Sequence, residues 1–157
     1  MITSFETDHF TAFLDTPSIE GISWAPDSTL LKIDISDRDL AQRVLVVKPT
    51  PEGTLQEVII RDRSAVAARW GMTGQMLFVV LEGSEPEDYP SALFALDLRT
   101  GSAKPVIDDR PVTAILDVVA DRLLVKVPYD PVHKLPAALI EVRLPSFARK
   151  VLFLAPE

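Results

Sequence analysis

The segment Ile22-Ser-Trp24-Ala-Pro-Asp27-Ser-Thr-Leu-Leu-Lys-Ile33 recurs as Ala68-Arg-Trp70-Gly-Met-Thr73-Gly-Gln-Met-Leu-Phe-Val79, with the two tryptophans 46 residues apart. A third copy is read over residues 115–126, which puts Asp117 at the tryptophan position after a further 47 residues. A period of this length confines the chain to stacked copies of one supersecondary unit, none of which can bury its own apolar surface alone.

The unit is made of strands. Helical periodicity is poor and thirteen prolines interrupt every longer candidate, whereas short runs of Val, Ile, Leu and Phe recur between Gly, Pro, Asp and Ser. After the repeated motif comes a polar connection and a third strand at residues 44–47, 93–96 and 139–142. Turn residues follow (51–53, 99–101, 144–146), then a fourth strand at 58–60, 105–107 and 151–153. The expected fold is all-β: three consecutive four-stranded antiparallel meanders spanning residues 18–63, 64–110 and 111–157 of a single domain. Residues 1–17 carry a further outer strand, because Phe13 precedes Trp24 by the interval that separates Ile59 from Trp70.

Trp24-Ala-Pro-Asp27-Ser ahead of an apolar strand resembles the W-S-P-D-G signature of TolB-type, WD-like β-propeller repeats. The first repeat has Ser28 where the signature has Gly, the second keeps Gly74 but not the Pro and Asp, and the third keeps almost none of it. The resemblance implies that each meander is a propeller blade, that the Trp packs between blades and that Pro-Asp-Gly turns the first hairpin. Propellers close with typically four to eight blades, so three make a half ring with two open faces. The expectations are a homodimer of two half rings making six blades, a different protein partner, or an all-β arrangement other than a propeller. Phe10 and Phe13 at one end and Val151 and Phe153 at the other are the candidate assembly edges, and the spare N-terminal strand could pair with the last blade of a partner.

Charge and composition remove other classes. Sixteen basic residues against twenty-three acidic ones give a formal charge of -7 with no basic cluster, which argues against nucleic acid and anionic lipid as partners. The longest apolar run, residues 76–81, is the length of a strand and far short of a membrane helix. Cysteine is absent, which removes disulfides, thiolate metal sites and thiol nucleophiles and fits a reducing compartment. Residues 1–10 show no basic region followed by an apolar one, so the expected location is cytoplasmic. The lack of asparagine fits either thermophily or a biased genome.

Chemistry-bearing constellations are sparse. Gly21-Ile-Ser23-Trp-Ala25 departs from a nucleophile elbow at its last position and lies in a strand. Residues 34–39 lack the Gly and Glu of a calcium loop, no G-x-G occurs, and His9 and His133 have no spaced His or Cys companion. Two connections remain as candidate ligand or partner loops: Tyr129, Asp130 and His133 in the third unit, and Glu85, Glu87, Asp88 and Tyr89 in the second. No catalytic, cofactor or metal residue is assigned. The expected function is therefore a non-enzymatic scaffold or protein-interaction module completed by self-association or a partner. The alternative is a hydrolase-type six-bladed ring with a ligand or metal in its channel, which would need acids near the first strands, where Glu20 alone qualifies.

Overall fold

A computed structural model of the chain describes residues 2–4, 18–36, 42–48, 50, 53–83 and 91–156. The fold is all-β and antiparallel, with no helix among the described residues. The first unit contains β2 (Ser18–Trp24), β3 (Leu31–Ser36), β4 (Gln42–Val47) and β5 (Leu55–Ile60). The second contains β6 (Arg63–Trp70), β7 (Met76–Leu81), β8 (Ala92–Asp97) and β9 (Ser102–Ile107). The third contains β10 (Ala114–Val119), β11 (Arg122–Val127), β12 (Ala138–Arg143) and β13 (Arg149–Leu154). A short β1 (Ile2–Ser4) precedes them, and the third and fourth strands of each unit fall where the apolar runs placed them.

Each unit is a meander, but the units are not three separate sheets. Hydrogen bonding runs without a break from β2 to β9, because β5 and β6 exchange two register pairs, Ile59 with Ser64 and Ile60 with Arg63. The turn between them is the two residues Arg61 and Asp62, both at positive φ, which is the turn whose twist matches a β-hairpin. Units 1 and 2 thus form one sheet with β1, and unit 3 forms a separate four-stranded sheet. β1 lies antiparallel to β5 in its own chain, Ile2 opposite Val58. The outer strand expected around Phe10 and Phe13 lies outside the described residues.

The first strand of every unit carries a β-bulge, at Glu20, Val66 and Leu116. These shared irregularities align the units independently of side-chain identity, and they correct one expectation. Asp117 follows its bulge as Gly21 and Ala67 follow theirs, so it is not at the tryptophan position. Units 1 and 2 close their first hairpin with long turns after Trp24 and Trp70, whereas unit 3 turns on Ala120 and Asp121 alone, pairing Val119 with Arg122. Unit 3 has no counterpart of the tryptophan-bearing turn.

The units stack face to face. In β7, Leu77, Val79 and Leu81 point into a cluster with Val44, Val46, Val58 and Ile60 of unit 1. The alternate residues, Phe78 and Val80, join Leu123, Val125, Val127, Ile140 and Val142 of unit 3. This two-sided burial explains why residues 76–81 read as an unbroken apolar run, while β11 alternates, with Arg122 and Lys126 facing out. The first strands β6 and β10 also lie against each other.

The long hairpin turns of units 1 and 2 share one backbone geometry. Ser28 has φ 61°, and Gly74 at the matching place in unit 2 has φ 65°. Asp27 Oδ1 accepts from the Thr29 amide at 3.0 Å and its hydroxyl at 2.6 Å, and Gln75 Nε2 bonds Thr29 Oγ1 at 3.0 Å, tying one turn to the next. The hydroxyl and amide donated by Thr29 hold the Asp27 carboxyl below its usual range. Trp70 packs against the cluster shared by units 1 and 2 and donates its indole N–H to the Ser23 carbonyl of unit 1 at 3.2 Å.

Candidate functional site

Of the two candidate loops, the structure brings together Asp130 and His133. The connection from β11 to β12 is pinched by a bridge between Asp130 and Leu135, and inside it both oxygens of the Asp130 carboxylate are engaged. Oδ1 accepts from the amides of Val132 (3.0 Å) and His133 (3.3 Å), and Oδ2 lies 2.7 Å from His133 Nδ1. The imidazole contact, followed by the two amides, holds the Asp130 carboxyl below the ordinary range. Asp130 is buried, and Tyr129 and His133 are exposed. From outside, Arg110 Nη2 donates to the carbonyls of Pro128 (3.0 Å) and Pro136 (2.9 Å), clamping both ends of the connection. These bonds hold the loop's shape, so the Asp130 carboxylate acts as a staple beside the exposed Tyr129. Glu85, Glu87, Asp88 and Tyr89 lie outside the described residues.

Where the first strands converge there is a groove of about 500 Å³ lined by parts of all three units, including Ser23, Lys32, Asp34, Arg69, Trp70 and Asp117. Its main polar feature is Lys32, almost fully buried, whose Nζ lies 2.7 Å from Asp34 Oδ2 and donates to the Ala68 carbonyl of unit 2 at 3.0 Å. A buried ammonium needs such partners, and with them it joins the units. Glu20, the acid singled out for a channel, accepts from Ser36 Oγ at 2.7 Å. Among the described residues no group of three or more His, Asp or Glu is placed to hold a metal ion. Asp34, which in sequence stood out only as the first acid of residues 34–39, is paired with Lys32 instead, because two charges at alternate positions of an apolar strand lie on one face of the sheet.

The remaining surface of note is formed by the two ends of the stack. By strand register, Ile19, Ile22, Trp24, Leu31, Ile33, Ile35 and Val47 on the outward face of unit 1 match Ala65, Ala68, Trp70, Leu77, Val79, Leu81 and Leu96 of unit 2. In unit 2 this set packs against unit 1, all of it buried except Trp70, which is partly buried. In unit 1, Ile35 and Leu45 are buried in a small cluster with Leu55, but Ile19, Ile22 and Trp24 along β2 are 51, 58 and 55% exposed. At the other end, unit 3 turns Val119, Leu124, Leu139 and Phe153 outward, and Leu116, Val151, Leu152 and Leu154 are exposed beside them. Arg122 sits among these, with Nη1 3.6 Å from the buried Glu141 carboxylate. Of the expected assembly edges, Val151 and Phe153 are thus exposed on the free edge strand, and Phe10 and Phe13 lie outside the described residues. No helix among the described residues is long and apolar enough to cross a membrane.

No family model matches the chain, and no curated protein matches it.

Proposed function

We propose that the chain is a non-enzymatic structural module: three consecutive blades of a β-propeller of the TolB-type, WD-like kind, with both end faces completed by further β-sheet when it works. The observation that carries this reading is the contrast between matched positions. Positions that are buried at Ala65 and Ala68 and partly buried at Trp70 inside the stack are more than half exposed at Ile19, Ile22 and Trp24 on its end. The first-strand bulges, the face-to-face stacking and the convergence of β2, β6 and β10 on one groove support the blade assignment. A cysteine-free, acidic chain fits a cytoplasmic setting for this role. Asp130 in the best-formed loop and Lys32 and Asp34 in the groove are engaged in structural bonds, which supports assembly over catalysis. Sedimentation velocity at micromolar concentration tests the reading: particles larger than one chain are expected. A monomer whose Trp24 stays as open to an aqueous quencher as an exposed tryptophan would overturn it.

A further inference from the structure

Resting on that reading, we infer that the occupant of the end faces is a second copy of this chain, joined head to tail. Unit 3 of each copy packs on unit 1 of the other, with Trp24 as the wedge at both junctions.

The chain contains the pattern for this junction. Side-chain hydrogen bonds to main-chain carbonyls join units 1 and 2, among them Trp70 Nε1 to the Ser23 carbonyl at 3.2 Å and Lys32 Nζ to the Ala68 carbonyl at 3.0 Å. Strand register carries all four positions to the ends. Ile22 and Trp24 stand in unit 1 where Ala68 and Trp70 stand in unit 2, and Val119 and Arg122 stand in unit 3 where Ser23 and Lys32 stand in unit 1. Docked in the same way, the Trp24 indole donates to the carbonyl of the partner's Val119, and Arg122 donates to the carbonyl of the partner's Ile22. The junction of units 2 and 3 has neither bond, because Phe78 takes the place of the cation and the shortened hairpin puts Ala120 in the place of the indole. The missing tryptophan and the missing cation are therefore distributed so that the two free faces together hold one complete set.

Area agrees. Taking side-chain areas of roughly 150–250 Å², the exposed fractions of Ile19, Ile22 and Trp24, with Leu116, Val119, Leu152 and Phe153, amount to about 650 Å² per junction. Two junctions bury about 1,300 Å², inside the range of roughly 1,200–2,000 Å² found for stable complexes. A two-fold ring uses each face once and leaves none over.

The test is complementation between two single variants, Ile22→Lys on the unit 1 face and Val119→Lys on the unit 3 face. Both side chains are exposed in the single chain, so lysine there leaves folding intact, verified by unchanged far-ultraviolet circular dichroism. Light scattering is expected to give a dimer for the parent, a monomer for each variant alone, and a dimer for the equimolar mixture, in which one junction of the two is unaltered. A variant that remains dimeric alone means that like faces pair, and a parent trimer means a larger ring. Either overturns this inference and leaves the open-ended stack standing. A monomeric parent with Trp24 open to quencher overturns both.

Discussion

Ser28 and Gly74 occupy the same place in successive hairpin turns, at φ 61° and 65°, one with a Cβ and one without, so exchanging them isolates a backbone effect. Ser28 is solvent-exposed, and a Cβ built on Gly74 would meet nothing within 4 Å, so neither exchange disturbs packing. Holding an L-residue in the left-handed region costs about 1–2 kcal/mol, while glycine gives back about 0.5–1 kcal/mol through the greater freedom of its unfolded chain. Ser28→Gly should therefore stabilise the protein by about 0.5–1 kcal/mol, and Gly74→Ala should destabilise it by a similar amount. Gly74→Asn should cost less than Gly74→Ala, since asparagine tolerates this region. With a urea slope of about 2 kcal/mol per molar, the two main variants move the unfolding midpoint by roughly 0.25–0.5 M in opposite directions at unchanged slope. Protein concentration must be held constant, because association would add its own stabilisation. A Gly74→Ala midpoint equal to or above that of the parent would refute the reasoning, as it would place that turn outside the left-handed region.

Three further outcomes are expected. Lys32→Met should cost about 1–3 kcal/mol by leaving Asp34 and the Ala68 carbonyl without their ammonium, whereas Lys32→Met with Asp34→Val should recover most of that loss in a double-mutant cycle by urea unfolding; unit 2 already holds Phe78 and Val80 at these positions. Burial raises the Glu57 carboxyl above its ordinary 4.5, with the Arg43 charge 3.7 Å away opposing, so the folded state binds the extra proton and stability falls as pH rises from 4.5 through the raised value; Glu57→Gln should flatten that slope in unfolding curves taken across the window. Asp130 is shifted the opposite way, so its contribution is present above about pH 3.8 and lost as pH falls through its lowered value; carbon-detected titration should show its midpoint moving up in His133→Ala, and an unmoved midpoint would assign the shift elsewhere.

Most strands were legible in the sequence because alternation and apolar runs survive whatever the neighbours do. Residues 44–47, 93–96 and 139–142 are read correctly from side-chain type alone. What failed was register in unit 3, and the reason is physical. A hairpin turn is free to lose residues without moving the strands it joins, so a ruler laid from Trp24 through Trp70 lands on Asp117, whereas the backbone bulge marks Leu116 as the partner of Glu20. Bulges have no side-chain signature that repeats, since Glu20, Val66 and Leu116 share nothing but place. The continuous sheet through β5 and β6 was hidden for a similar reason: Arg61 and Asp62 carry no glycine to announce a two-residue turn. The apparent acid–imidazole pair was legible as a cluster, but only the hydrogen bonds from Val132 and His133 reveal that the carboxylate is committed to the loop itself.

The two internal joints of the stack are mechanically unlike. Between units 1 and 2 the main chain is its own fastener, and any change of angle would break ladder bonds around Arg61 and Asp62. Between units 2 and 3 no strand pairing crosses in the path from β9 to β10, and the polar fastening is by side chains: Arg149 on Asp109 at 2.8 Å, Arg110 on Pro128 and Pro136, and Ser91 Oγ on the Val112 carbonyl at 2.9 Å. The first joint is thus held by main-chain pairing and the second by side chains. Substitutions at Arg149 or Ser91 should therefore loosen the seat of unit 3 on unit 2 without breaking a main-chain ladder between them.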